Sequence, residues 1–249
     1  FKRNFFRTVV IQFKFDETDI LFKNKGKISS IFQENYPRLN DNVGNNYHIT
    51  LNKNETPIVN TTKGKGFLLK SSDGNKTLNF INDTIEININ GLSYKNFAQI
   101  KDYEIEKIKG LLKEFGITKL NRVAIRKINI IGLKIASDNN LAQITKDLMN
   151  ERFSEEGDSY PMEHLIQQNI KTVNYLVDND GLNLKSGYVL QPNQVSFPKL
   201  GHIICDIDRY NNGETNSEDL SEVFKRLNEE IFDIFLWFLS SKSIQILTN

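Results

Sequence analysis

Two strand-like segments carry charges where a buried strand would be apolar, and the spacing of these charges could support ligand chemistry. Arg122 and Arg126 lie four residues apart in a long β-branched run, and Asp206 and Asp208 lie two apart in a second apolar run. Even spacing places the two arginines on one face of a strand and the two aspartates on one face of another. Charges inside hydrophobic strands are costly unless they are paired. The pattern therefore predicts that these four groups serve each other or a ligand.

Three kinds of site are compatible with this set. If the two strands are neighbours, the planar guanidinium groups can form bidentate bonds to the carboxylates and fix the register of the strands. In a polar pocket, Arg122 and Arg126 would instead hold an anionic small ligand, with Asp206 and Asp208 orienting them or binding its hydroxyl groups. A divalent metal such as Mg²⁺ or Mn²⁺, held by the two aspartates with His202 or His164, is a further alternative. No metalloenzyme signature is present, so we assign no metal ligand.

Sequence signatures of catalysis are absent. Cys205 lies at an apolar position, which raises the pKa of a thiol and disfavours a nucleophilic role. No Gly-x-Ser-x-Gly elbow occurs, and Gly64-Lys-Gly66 lacks the rest of a phosphate-binding loop. We therefore predict no catalytic residue and no cofactor. Whether the protein is an enzyme stays open, with the balance against it.

Composition limits the partners. The net charge of +1 provides no strong field for nucleic acid or an acidic membrane. Nucleic-acid binding is disfavoured but open, because it would need one face to gather Lys23, Lys25, Lys27, Arg38, Lys63 and Lys65. A single cysteine excludes an internal disulfide and fits a reducing cytoplasm. The longest apolar run, 231–239, is too short to span a bilayer, so we expect a cytoplasmic protein without a membrane partner.

Alternating and helical hydrophobic patterns predict an α+β fold with antiparallel sheets and packed helices. The predicted strands are 5–15, 47–51, 66–70, 77–81, 85–89, 122–135, 172–177, 184–190 and 202–208. The predicted helices are 25–35, 94–115, 139–150 and 218–239. Ser72-Asp-Gly-Asn75 predicts a hairpin turn, since Asp-Gly readily accepts positive φ.

The order of these elements repeats along the chain. A strand, a helix, several strands and a helix occur first in 1–116 and again in 120–249. We therefore expect two similar α+β halves that form one compact unit, which would be an internal duplication. This expectation rests on element order, because the residue identities do not visibly repeat.

Several segments together resemble a poorly characterised bacterial family known as the sporadically distributed proteins, whose members have a similar chain length. The resemblance covers nearly the whole chain in the same order. It rests on Val9-Val-Ile-Gln-Phe-Lys-Phe15, Phe32-Gln-Glu-Asn-Tyr-Pro37, Arg122-Val-Ala-Ile-Arg126-Lys-Ile-Asn129 and Cys205-Asp-Ile-Asp208 before a long C-terminal helix. The resemblance implies a microbial cytosolic protein of unknown function, with a possible defence-associated gene neighbourhood.

By elimination, the sequence favours a non-catalytic binding or assembly component with a protein partner or self-association. The alternative is an enzyme or sensor that binds an anionic ligand or divalent metal in a cleft near Arg122, Arg126, Asp206 and Asp208. Nucleic-acid binding through a lysine-rich face is the third possibility. These hypotheses differ in whether the four charges interlock or line an open cavity.

Overall fold

One nine-stranded antiparallel sheet dominates the computed structural model, which describes residues 6–50, 58–135, 147–150, 168–190 and 199–248. The α+β class with antiparallel pairing and packed helices is confirmed. The strands of this sheet are β1 (Phe6–Lys14), β2 (Arg38–Thr50), β3 (Ile58–Lys70), β4 (Lys76–Ile81), β5 (Thr84–Asn90), β7 (Arg122–Ile135), β8 (Gln168–Val177), β9 (Asp180–Leu190) and β10 (Lys199–Asn211). The short strands β6 (Lys119–Leu120) and β11 (Thr215–Asn216) pair separately.

The strand order is β2-β3-β4-β5-β1-β7-β10-β9-β8. The first strands of the two chain segments, β1 and β7, are therefore neighbours at the centre of a continuous sheet. Outward from each of them comes the last strand that its own segment contributes to this sheet, β5 or β10, and then the next to last, β4 or β9. The division into two similar halves and their descent from a duplication stay predictions.

The helices are α1 (Ile20–Lys23), α2 (Lys25–Phe32), α3 (Phe97–Ile100), a π-helical segment (Lys101–Ile105), α4 (Glu106–Glu114), α5 (Leu220–Phe238) and α6 (Ser241–Thr248). Phe32 of α2 lies 6.1 Å, centroid to centroid, from Phe80 of the sheet, and Phe224 of α5 lies 4.8 Å from Phe13. Both Phe80 and Phe13 are in register with Ile85, so they share a face of the sheet. Helices α2 and α5 therefore cover the same face.

The core lies between this face and the helices. Val9, Ile11 and Phe13 alternate along β1 and are fully buried, whereas Gln12 and Lys14 point to the other face. Each large apolar side chain buried in this way contributes about 1.5–3 kcal/mol to folding. Helix α5 adds an apolar stripe at helical spacing, formed by Leu220, Phe224, Leu227, Ile231, Phe235 and Phe238.

No helix in the described part of the chain is long and apolar enough to cross a membrane. Most of the predicted helix 139–150 lies outside the described residues, as does His164. The side chain of His48 is also not among those that the structure describes.

Candidate functional site

The four charged residues singled out by the sequence meet on the sheet face opposite the helices. Strands β7 and β10 are adjacent, and Asp208 lies directly across from Arg126 in the antiparallel register. Arg126 also lies across from Val10 of β1, and Val10 alternates with the buried residues of that strand. The charges therefore occupy the side of the sheet that faces away from the apolar core.

Arg126 and Asp206 form a bidentate ion pair. The Nε of Arg126 donates to Oδ1 of Asp206 at 2.8 Å, and Nη2 donates to Oδ2 at 2.7 Å. The hydrogen bonds to Asp206 raise the pKa of Arg126, so this guanidinium stays charged. The pair is unequally buried, because the side chain of Asp206 is 10% exposed and that of Arg126 is 44% exposed. One edge of the guanidinium thus remains available above the sheet.

Arg122 is held by several weaker contacts. Its Nε donates to Gln12 Oε1 at 3.1 Å, and its Nη1 donates to Asn212 Oδ1 at 2.9 Å. Its Nη2 lies 3.4 Å from Oδ2 of Asp208. The guanidinium also stacks on Tyr210, with Cζ 4.0 Å from the ring centroid. Its orientation is therefore fixed without a ligand.

Two further contacts support this arrangement from β9. Asn183 donates to Oδ2 of Asp208 at 3.1 Å and so helps to hold the carboxylate beside Arg122. The ring of Tyr210 lies against Gly181, where an added β-carbon would overlap the ring. Gly181 thus leaves the space in which Tyr210 supports Arg122.

A cavity of about 330 Å³ opens on this face. Its lining residues come from four neighbouring strands and are Val10, Gln12, Glu86, Asn88, Arg122, Ala124, Arg126 and Asp208. The short side chains of Val10 and Ala124 leave a depression, and longer polar side chains surround it. Three of the four predicted residues therefore line the cavity. The fourth, Asp206, is not in the lining and contributes by holding the guanidinium of Arg126 in place.

Gln12, Glu86 and Asn88 were not predicted as part of the site. Asn88 Nδ2 donates to Oε1 of Glu86 at 2.6 Å. Throughout the described residues, no lysine or arginine forms an ion pair with Glu86. The alternation Thr84-Ile-Glu-Ile-Asn-Ile-Asn90 did indicate that Glu86 and Asn88 share a face, but it did not indicate that β5 lies beside β1.

A second charged cluster lies on the helix side and links α5 to the β9–β10 hairpin. The Nε of Arg209 lies 2.6 Å from Oε2 of Glu230, and Arg226 lies 3.1 Å from the other oxygen of Glu230. Both arginines also contact Asp180, at 3.6 and 3.2 Å. Arg209 additionally donates to the carbonyl of Gly181 at 2.9 Å. These contacts close a ring of alternating charges, which indicates a structural clamp.

Lys127 is buried between the sheet and α5. Its Nζ donates to Asn228 Oδ1 at 2.6 Å and to the hydroxyl of Tyr94 at 3.3 Å. Burial lowers the pKa of Lys127 to about 8. Cys205 is also buried, and its burial raises the pKa of the thiol. The predicted inert state of Cys205 agrees with this position.

The metal and nucleic-acid alternatives gain no support from the described residues. These residues contain no group of three His, Cys, Asp or Glu side chains that could hold a metal ion. Both carboxylate oxygens of Asp206 already accept hydrogen bonds from Arg126. Lys25 and Lys27, two members of the proposed basic face, form ion pairs with Asp41 and Glu114.

A scan against models of protein families finds no match to this chain, and a search of curated proteins finds no similar sequence.

Proposed function

We propose that this protein is a non-catalytic binding protein that holds a small polar ligand in the cavity on the open sheet face. The observation that carries the proposal is the orientation of Arg122 and Arg126 by other side chains at the rim of this cavity. Groups that are already oriented lose little conformational entropy when a ligand binds, which favours affinity. The arginines offer charge-assisted hydrogen bonds to an anionic group of the ligand.

The chemistry of the lining supports binding over catalysis. Among the described residues that line the cavity there is no Ser, Thr, Cys, Lys or His. Of the groups that act as nucleophiles, the described lining offers only the carboxylates of Asp208 and Glu86, which already accept hydrogen bonds from Arg122 and Asn183 and from Asn88. The lining instead combines guanidinium, carboxylate and amide groups, which can recognise a ligand by hydrogen bonds.

Assembly with a protein partner or a second copy is the other candidate function, favoured by an exposed apolar patch. Tyr175, Leu176 and Val177, at the tip of the β8–β9 hairpin, are 56%, 62% and 71% exposed. Apolar residues clustered on a surface are typical of contact sites. Light scattering of the wild type and of Leu176→Glu would test this role, because a contact through the patch should give an oligomer that the variant loses.

Bacterial origin, a cytoplasmic location, a defence-associated locus and membership of the sporadically distributed family stay predictions from the sequence. Nucleic-acid binding stays the disfavoured alternative, and a salt-dependent affinity for DNA or RNA would support it.

A thermal-shift screen tests the ligand-binding proposal. The panel should contain carboxylates, phosphates, nucleotides, amino acids, sugars and divalent metals, applied to the wild type, Arg126→Ala and Arg226→Ala. Arg226 is a matched control, because its side chain is 42% exposed against 44% for Arg126, and it forms ion pairs on the opposite side of the sheet.

We expect a ligand that raises the Tm of the wild type and of Arg226→Ala but not that of Arg126→Ala. A ligand present at 100 times its Kd stabilises the folded state by about 2.7 kcal/mol, which such a screen detects. A panel without any effect on the wild type, or with equal shifts in all three proteins, would refute the proposal.

A further inference from the structure

One carboxylate at the cavity has no cation beside it. Arg126 is paired with Asp206, and Arg122 lies beside Asp208. Glu86 lines the same cavity, yet within the described residues it contacts no cation; its hydrogen-bond partner is the neutral amide of Asn88. The lining carries two carboxylates and two guanidinium groups, and among these four charges only Glu86 has no group of opposite charge beside it in the described residues. A ligand with only negative charge would leave Glu86 without a counterion.

The unpaired carboxylate and the arginines lie across the cavity floor from one another. Glu86 is in register with Gln12, and Gln12 is in register with Ala124. Arg122 and Arg126 lie two residues to either side of Ala124 on β7. With strands about 4.8 Å apart and a rise of about 3.4 Å per residue, the Cα of Glu86 is about 12 Å from that of each arginine.

Unused hydrogen-bonding groups are also divided between the two sides. On the arginine side, Nη1 of Arg126 donates to no other group in the described residues, although Nε and Nη2 are engaged. On the β5 side, one carboxylate oxygen of Glu86 accepts no hydrogen bond there, since the contact with Asn88 uses the other. A ligand should therefore bring an acceptor to Arg126 and a donor to Glu86.

From these observations, and resting on the proposed function, we infer that the ligand is a small zwitterion of the amino-acid or dipeptide type. Its carboxylate faces Arg126 and Arg122, and its ammonium group faces Glu86 across the floor formed by Val10 and Ala124. Such a ligand adds no net charge to the site, and each of its charged ends meets a group of opposite charge. The cavity of about 330 Å³ is near the lower end of the volumes of ligand pockets, about 300–1,000 Å³, which suits a molecule of this size.

Three compounds with the same four-carbon backbone separate the contributions of the two ends. Succinate carries two carboxylates, 1,4-diaminobutane carries two ammonium groups, and 4-aminobutyrate carries one of each. Isothermal titration of the wild type should show that 4-aminobutyrate binds about tenfold or more tightly than either of the others, because each end forms a charge-assisted contact. Glycine, 3-aminopropanoate and 6-aminohexanoate then report which separation of the charges fits best.

Glu86→Gln is the decisive variant, because it removes the charge and keeps the shape of the side chain. Its affinity for the best-binding zwitterion should fall about tenfold or more, while its affinity for succinate should stay the same or rise. Glu222→Gln, on the exposed side of α5, is the matched control and should bind like the wild type. Circular dichroism of each variant checks that it is folded.

The outcomes distinguish this inference from the proposed function. If succinate or another ligand without a cation binds best and depends on Arg126 but not on Glu86, the cavity binds ligands and the zwitterion inference is wrong. The inference is equally wrong if the zwitterions fail to bind while the broader screen finds an Arg126-dependent ligand. If neither experiment finds a ligand that depends on Arg126, the proposed function itself is refuted.

Discussion

The ion pair between Arg126 and Asp206 should respond unequally to the loss of each partner. Arg126→Ala leaves the carboxylate of Asp206, whose side chain is only 10% exposed, without its two donors. Asp206→Ala leaves a guanidinium whose side chain is 44% exposed and which water can solvate. The free energy of unfolding should therefore fall more when the arginine is removed.

The expected magnitudes follow from burial and geometry. A carboxylate left unpaired in a fully buried site costs about 3–5 kcal/mol, and exposed pairs contribute about 0–1 kcal/mol. Because the ion pair is partly exposed, Arg126→Ala should lower the free energy of unfolding by an amount between these limits, about 2–3 kcal/mol. Asp206→Ala should lower it by about 1 kcal/mol, because water can solvate the guanidinium that remains. The double variant should cost little more than Asp206→Ala, which gives a coupling energy of about 2 kcal/mol.

Urea denaturation at pH 7 of the wild type, both single variants and the double variant measures this coupling. The exposed pair Lys14–Asp83, with side chains 47% and 35% exposed at 3.4 Å, is a control whose coupling should stay below about 0.5 kcal/mol. Additive effects for Arg126 and Asp206 would show that the pair does not stabilise the fold. A larger loss from Asp206→Ala than from Arg126→Ala would contradict the burial argument.

Three other predictions concern the support of the site and the core. Burial lowers the pKa of Lys127 to about 8, so this lysine releases its proton at a lower pH in the folded protein than in the unfolded chain. Between about pH 8 and 10, the free energy of unfolding of the wild type should therefore rise by about 2–3 kcal/mol relative to that of Lys127→Met, as measured by urea titrations. Gly181→Ala should displace Tyr210 from beneath the Arg122 guanidinium and weaken ligand binding about tenfold in calorimetry. Arg209→Ala should destabilise the fold by about 2–3 kcal/mol and Arg226→Ala by less than about 1 kcal/mol, because their side chains are 14% and 42% exposed.

Each of these predictions has a control. Lys225→Met on the exposed side of α5 should show no such dependence on pH, and an equal response in both lysine variants would argue against burial as the cause. Gly132→Ala introduces a β-carbon with no neighbour within 4 Å and should leave binding unchanged. Equal losses from the two arginine variants would show that burial does not govern the charge ring.

The faces of the strands could be read from the sequence. Alternation along β1 correctly separated Val9, Ile11 and Phe13 from Gln12, and the even spacing of Arg122 and Arg126 correctly placed them together. Successive side chains of a strand point to opposite faces, so the face of each residue follows from its position in its own strand. The turn at Ser72-Asp-Gly-Asn75 was also correct, with Gly74 at φ 75°.

The neighbours of each strand could not be read in the same way. Glu86 joins the cavity only because β5 returns to lie beside β1, and this pairing is set by packing of the whole sheet. Strands β2 and β3 also extend well beyond the predicted segments 47–51 and 66–70. Their Asn, Gly and Lys residues have low strand propensity, and the pairing between the two strands overrides it.

The helical region 94–115 was predicted as one helix, whereas the structure divides it into α3, a π-helical segment and α4. The apolar spacing that predicts a helix does not distinguish these hydrogen-bonding patterns. Within the π-helical segment, Glu104 is buried and accepts a hydrogen bond from the Tyr36 hydroxyl at 2.8 Å. A buried carboxylate with that partner is a tertiary contact, and no local pattern indicated it.

The strand order has a consequence for the sequence of events during synthesis. Strand β10 is inserted between β7 and β9, although β8 and β9 leave the ribosome before it. Until β10 has been made, β7 has an open edge, and both arginines lack carboxylates that lie about 80 residues further along the chain. The first segment can complete its own strands earlier, because β5 follows β4 directly. The binding site should therefore be the last part of the sheet to form, and a chain interrupted before β10 should expose a strand edge prone to aggregation.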